Sequence, residues 1–383
     1  MKEKLFIGVT ILLSYFFLAI RGNEGTSTEQ GENTSRILMN HQLSNTILVE
    51  GGDVYDCIGV NLQPAFNHPL LKDHKIQMGP SSLPLSMYTE SPSMHATPQV
   101  QLPIIGCPTG TVPILRKNIR DCTAGHTIEE VVSKDEQEEG AGIKYLDELY
   151  GTRARINVFQ PNMKNNSKDL SASCIQINGW PEVGSADGIG AGSWVSPSYS
   201  GDNFARFHVY WDDGLTNKTC IDHDCHAFVQ VSPSVGIGGR IEPIYVYNGP
   251  QYEIDLLIFK DPKTKNWWLT FGEQNTPIGY WPNSIFHYMK DKGNQAFWGG
   301  FVQGPTASTD SPQMGSGHFA SEGFGKAAFM KNIQIVDRNN KLVIPNVHTS
   351  YPGSSNLSKY NTDGYEVNKY GMHMYYGGPG VLV

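Results

Sequence analysis

The sequence predicts an all-β protein, a sandwich or a barrel, preceded by a smaller N-terminal segment. Three observations carry this expectation. Beyond Gly142, short runs of β-branched and aromatic residues recur between Gly, Pro, Asn and Asp. Several runs alternate, as Phe207-His208-Val209-Tyr210-Trp211 does, which is the period of a strand. Charged residues make up only 17%, against 41 Gly, 23 Pro and 18 Tyr, a balance of strands and turns rather than long helices.

The runs at 154–159, 174–177, 207–211, 227–231, 254–259, 267–271 and 333–336 read as strands. One helix is expected at 284–290, where Ser284 could cap and Ile285, Tyr288 and Met289 share a face. At the N-terminus, Lys2 and Lys4 precede an apolar run from Leu5 to Ile20 and polar sequence follows, so residues 1–22 read as a secretory signal peptide. A single membrane anchor is the alternative, since about 20 apolar residues span a bilayer. No later segment is apolar enough to do so, and no membrane association is expected once the leader is gone. Four sequons, at Asn33, Asn165, Asn217 and Asn356, agree with the secretory route.

A compact segment is expected at 37–121, an exposed linker at 122–142, and the β domain at 143–383. The linker reading rests on the polar string 133–142. A net charge of -8 gives no basis for nucleic-acid binding, which needs clustered Lys and Arg.

The motifs then become recognisable. Cys57, Gln63-Pro64-Ala65-Phe66-Asn67-His68-Pro69-Leu70-Leu71 and Cys107-Pro108-Thr109-Gly110-Thr111 resemble the activation peptide of the plant neprosin family. Lys260-Asp261-Pro262, Gly279-Tyr280-Trp281-Pro282, Trp298-Gly299-Gly300, Gly315-Ser316-Gly317-His318-Phe319 and Tyr376-Gly377-Gly378-Pro379 are similar to its catalytic domain. The resemblance covers roughly residues 40 to 383, and the order and spacing of its strings are specific. It implies an antiparallel β-sandwich made as a zymogen with a pro-segment, working in the apoplast or in a vacuole. It also implies a glutamic endopeptidase that cleaves after proline with two glutamates, needs no cofactor or metal, and takes a peptide or proline-rich protein as its partner. One carboxylate activates water while the other, kept protonated, donates to the amide.

Those glutamates are not at the matching positions. The family's Ile-Glu-Ala-Gly-Trp strand reads here Ile189-Gly190-Ala191-Gly192-Ser193-Trp194, which puts Gly190 at the first glutamate. The second stands immediately before the Trp or after the second Gly of the Trp-Gly-Gly string, and these positions are Phe297 and Phe301. Each lost proton-transfer partner removes about 10² to 10⁴-fold in rate. The expectation is a catalytically impaired homologue that keeps a substrate-like cleft. The alternatives are an active acid peptidase using Glu182 or Asp187, the nearest carboxylates before Gly190, and a structural glycoprotein of the apoplast.

Cys220, His223, Cys225 and His226 lie within seven residues and suit zinc chemically, but the secretory route and the family pattern favour a Cys220–Cys225 disulfide with surface histidines. Pairing among Cys57, Cys107, Cys122 and Cys174 stays open. Ser316 and His318 lack an orienting acid for triad chemistry. The pairs Trp267-Trp268 and Tyr280-Trp281 are read as core before ligand platform. Oligomeric state is not legible.

Overall fold

The computed structural model describes residues 43–86, 98–100, 102, 104–116, 137–165, 167–224, 226–368 and 371–380. The signal peptide, Asn33 and residues 122–136, with Cys122, lie outside the described residues. The N-terminal segment contributes β1 (Leu43–Leu48), β2 (Val54–Gly59), β3 (Leu85–Ser86) and β4 (Thr111–Leu115). Then follow β5 (Gln137–Tyr145), β6 (Gly151–Asn157), β7 (Leu170–Gly179), β8 (Asp187–Val195), β9 (Arg206–Asp213) and β10 (Lys218–Ile221). The next are β11 (Val229–Gln230), β12 (Glu253–Lys260), β13 (Trp267–Phe271), β14 (Thr276–Trp281), β15 (Gln295–Gly304) and β16 (Ala328–Val336). The last are β17 (Lys341–Val343), β18 (Ser350–Ser354), β19 (Asn361–Thr362), β20 (Glu366–Asn368) and β21 (Gly371–Gly377).

Strand alternation explains how these elements stack. A seven-stranded sheet runs β10-β9-β8-β7-β15-β5-β18, with antiparallel neighbours throughout. Its alternate residues Ile143, Ile175, Ile189, Val209 and Trp298 enter one apolar cluster with Ile156, Leu256, Trp267, Trp281 and Met330 of the second sheet. That second, eleven-stranded sheet runs β11-β14-β13-β12-β6-β16-β17-β3, with β21 joined to β16 and β19 and β20 joined to β21. Two sheets sharing one inner layer make a sandwich, as the sequence predicts. Burying each Leu, Ile or Phe in that layer is worth about 1.5–3 kcal/mol.

The second sheet is covered on its other face as well. Val229, Leu257, Phe259, Trp268 and Tyr280 point away from the inner layer and pack with Ala65, Phe66 and Ile76 of the N-terminal segment. Trp267, Trp268, Tyr280 and Trp281 are all fully buried, so the core reading of these aromatics holds. Polar bonds fix the same contact. Gln63, 1% exposed, donates from Nε2 to the Gln230 carbonyl at 3.0 Å and accepts the Gln230 N–H at 2.7 Å. His74 Nε2 lies 2.8 Å from the Tyr280 hydroxyl. Ser81 Oγ donates to Asp261 at 2.7 Å. Cys57 pairs with Cys107 inside the segment, closing a loop of 50 residues, while Cys174 is free and buried. Cys220 is disulfide-bonded, and Cys225, its expected partner, lies outside the described residues.

Two expectations need correction. Residues 137–142 are not linker: they form the first part of β5, paired throughout with β15 and from Ala141 onward with β18 as well. Their polar composition misled because β5 is Gly-rich and its outward side chains stay accessible. Residues 284–290 do not form a helix; only Asn283–Ile285 make a 3-10 turn, and Phe286 is extended. The amides of His287, Tyr288 and Met289 instead converge on the Asp187 carboxylate at 2.6, 2.5 and 3.1 Å. A charged acceptor from another strand outweighs a weak local helical preference.

Removing the Gln63 side chain strips two buried backbone groups of their partners. Gln63→Ala is expected to cost about 1–3 kcal/mol in denaturant unfolding of the full chain, and a change below a few tenths would contradict this account of segment docking.

Candidate functional site

The outer face of the seven-stranded sheet collects every position at which a catalytic carboxylate was expected. On β8, Ile189, Ala191 and Val195 point into the core, so Gly188, Gly190, Gly192 and Trp194 point outward. Register pairs Gly190 with Gln176 of β7 and Tyr210 of β9, and Gln176 with Phe297 of β15. Gly190 and Phe297 therefore sit on one rung with Gln176 between them. Phe301 lies four pairs along, level with Ala172 and Trp194. All three positions share one face, and none bears a carboxylate.

Rings fill the space instead. A β-carbon added at Gly190 would come within 2.2 Å of the Tyr210 ring and 2.8 Å of its hydroxyl, so Tyr210 lies over the glycine. Trp194 packs against Tyr210 with ring centroids 5.7 Å apart, stacks on His208 at 5.1 Å, and meets the edge of Phe301 at 6.5 Å. Leu170, Ala172 and Ile221 complete this second apolar cluster. His208 is held from behind, its Nδ1 2.7 Å from Asp222 Oδ2. Burial lifts the Tyr210 hydroxyl well above its ordinary value, so it stays a neutral donor.

The anticipated substitutes are placed elsewhere. Asp187 is fully buried on the core side of β8, and besides the three amides already named it accepts the Gly214 N–H at 3.1 Å. Four backbone donors leave it an anchor between the β8 entry and the loop at 287–289. Glu182 is exposed in the loop between β7 and β8. The strands themselves bring two other carboxylates to the outer face among the described residues, Glu138 on β5 and Asp212 on β9, and the sequence reading missed both. Burial pushes the Asp212 carboxyl up to about 6; the Thr219 hydroxyl opposes this, and the charges of Glu138 and Asp187 add to it. Surrounding protein also raises Glu138, with Lys144 pulling it back, but its side chain is exposed and water screens the effect. The signal that could have found Asp212 is its place directly after the alternating run 207–211, two residues beyond Tyr210 and so on the same face.

Arg206, 4% exposed at the margin of this face, binds Asp53 of the N-terminal segment through Nη1 and Nη2 at 3.0 and 2.9 Å, and Asp202 through Nη2 at 2.6 Å. The Ser316 string does have an acid beside its histidine, which the sequence reading did not find, but its serine meets the His318 backbone rather than the ring. The Ser316 hydroxyl accepts the His318 backbone N–H at 3.3 Å, and His318 Nδ1 faces Glu322 Oε1 at 2.9 Å. No group of three or more metal-binding side chains is found among the described residues, and His223 and His226 are half-buried rather than on the surface.

Two substitutions separate anchor from acid. Asp187→Ala is expected to destabilise the protein by about 3 kcal/mol, because buried amides lose a charged acceptor, whereas Glu182→Ala stays within about 0.5 kcal/mol. Gly190→Glu is expected to cost about 1–3 kcal/mol by overpacking against Tyr210. Denaturant midpoints of the purified variants check all three.

Known proteins agree with the order of the motifs. The Neprosin family model matches residues 167–379, and the Neprosin activation peptide model matches residues 46–149. Among solved structures, the chain is similar to scytalido-glutamic peptidase bound to a transition state analog inhibitor, with 9% identity and a TM-score of 0.35 over 63% of this chain and 98% of that one. It is also similar to SCP-B, a member of the Eqolisin family of peptidases in complex with a tripeptide, with 8% identity and a TM-score of 0.32 over 63% and 98%. A carbohydrate-binding module of the Ruminococcus gnavus IT-sialidase gives 11% identity and a TM-score of 0.22 over 45% and 91%. Scores this low carry no weight for function. The two family models span most of the chain in the order pro-segment then β-sandwich, and the protein belongs to the neprosin family.

Proposed function

We propose that this is a secreted neprosin-family protein that has lost the family's two-glutamate hydrolysis and binds an extended, proline-containing polypeptide on the outer face of its seven-stranded sheet. The observation that carries the reading is the joint replacement on that face: Gly190, Phe297 and Phe301 stand where the carboxylates are expected, and the Tyr210 and Trp194 rings pack into the space. Neither an indole, a phenyl ring nor a neutral phenol activates a water. What remains is a surface of aromatic area with a few polar atoms, which suits binding of proline rings and backbone amides. The docked N-terminal segment lies chiefly on the opposite sheet, so the described part of it leaves this reading intact.

Secretion is supported by the leader at 1–22 and by the sequons. Asn165 and Asn217 are exposed, whereas Asn356 is half-buried and donates from Nδ2 to Glu139 at 3.3 Å. Glycans are therefore expected at Asn165 and Asn217 in preference to Asn356, and mass spectrometry of the secreted protein checks it. The destination is the apoplast or a vacuole.

One observation favours a second reading, an acid peptidase with relocated carboxyls: Asp212 titrates unusually high, and the Glu138 charge contributes to that. The two readings part in a single assay. Purified full-length protein incubated in acid with a blocked proline-rich peptide is expected to bind it and leave it intact. Cleavage abolished by Asp212→Asn or Glu138→Gln would transfer the case to the second reading, and absence of both binding and cleavage would defeat the two together.

A further inference from the structure

A run of polar side chains crosses the outer face from β7 to β10, in the space that the glycines of β8 leave free. Gln176 Nε2 donates to Asn178 Oδ1 at 2.9 Å. Asn178 Oδ1 and Asp212 Oδ2 converge over Gly188, where an added β-carbon would lie 2.9 and 2.6 Å from them. On the far side, Thr219 Oγ1 donates to Asp212 Oδ1 at 2.6 Å. Among the described residues no donor is found on Asp212 Oδ2, which shares the space over Gly188 with the Asn178 acceptor. Two acceptors with no hydrogen between them repel, and a proton on the carboxyl turns the contact into a hydrogen bond. Burial raises the same carboxyl to about 6, in the direction that this geometry requires.

We propose that Asp212 is a proton switch for the binding face: protonated, it donates to Asn178 Oδ1 and competes there with the Gln176 amide, loosening Gln176 to donate to a backbone carbonyl of an extended polypeptide. Ionised, it leaves Asn178 to hold Gln176 away from the ligand. Gln176 is placed for this role, half-buried on the rung that joins Gly190 to Phe297. The charges facing Asp212 act in the same sense. Asp187 of β8 and Glu138 of β5 favour its neutral form, the Tyr210 hydroxyl on its own strand is uncharged, and β10 presents the neutral Thr219 directly and Lys218 one pair further, opposite Asp213. Asp212 is thus a positioning residue, acting through Asn178 and Gln176. The inference rests on the peptide-binding reading above.

Linkage gives a readout that needs no ligand. The native carboxyl keeps its proton to about pH 6 while the unfolded one loses it near about 3.9. Between these values the native state binds more protons, so this group's contribution to stability is present in acid and lost as pH rises through the window. Asp212→Asn cannot ionise and escapes that loss.

The test uses the full-length chain, its Asp212→Asn form and a blocked proline-rich peptide as probe, in mildly acidic and in neutral buffer. Wild type is expected to bind about five- to tenfold more tightly in acid, the worth of one net hydrogen bond. Asp212→Asn is expected to bind equally in both buffers at the wild-type acid affinity, and to melt about 2–4 °C above wild type at neutral pH with the gap closing in acid. An acid preference that persists in Asp212→Asn, or equal melting of the two proteins at neutral pH, overturns the switch alone. Failure of wild type to bind the probe in either buffer overturns the binding reading beneath it as well.

Discussion

Much of this molecule depends on one strand having almost no side chains on one of its faces. Outward positions 188, 190 and 192 of β8 are all glycine, while the inward positions carry Ile189, Ala191 and Val195 into the core. A strand bare on one side lets its neighbours lean across it. Tyr210 covers Gly190, and Asp212 and Asn178 meet over Gly188. The absence of the expected glutamate is therefore not a vacancy in the sheet. The bare Gly190 and the leaning rings form one packing arrangement, and a carboxylate introduced there would have to displace Tyr210.

The two sheets divide the work. The eleven-stranded sheet faces the inner layer on one side and, around β11 to β14, is covered on the other by the N-terminal segment, and a Gln63–Gln230 amide pair and an Asp261 turn fix that second contact. The seven-stranded sheet carries the family positions on the side away from the inner layer. Arg206 links the two regions, since it binds Asp53 of the segment and Asp202 just after β8. Fold and segment docking thus stay intact independently of the carboxylates that hydrolysis needs.

The sandwich was legible in the sequence, because it follows from period-two alternation; that Gly190, Phe297 and Phe301 share one face emerges only from the strand register. Trp267-Trp268 and Tyr280-Trp281 were also correctly read as core. What local sequence could not reveal is what a side chain meets across the sheet. Asp187 looked like a spare acid, but amides from residues 287–289 consume it, and the same bonds cancel the helix expected there. Residues 137–142 looked like a linker because their polar string hides a strand that needs two partners to be recognised. Asp212 escaped notice because its burial and its approach to Asn178 exist only once β7, β8 and β9 are in register. The Cys57–Cys107 pairing was open for the same reason.

The central claim is that Asp212, of the two carboxyls on the outer face, exchanges its proton near pH 6 without acting as a coupled pair with Glu138. Carbon-13 NMR of side-chain carboxyls across the acidic range tests it most directly. The account predicts that Asp212 titrates in a single step near pH 6, that this resonance vanishes in Asp212→Asn, and that Glu138→Gln shifts it only slightly. Two steps shared between Asp212 and a second carboxyl would be the mark of a coupled acid pair. That result would contradict the account and restore the machinery of a peptidase.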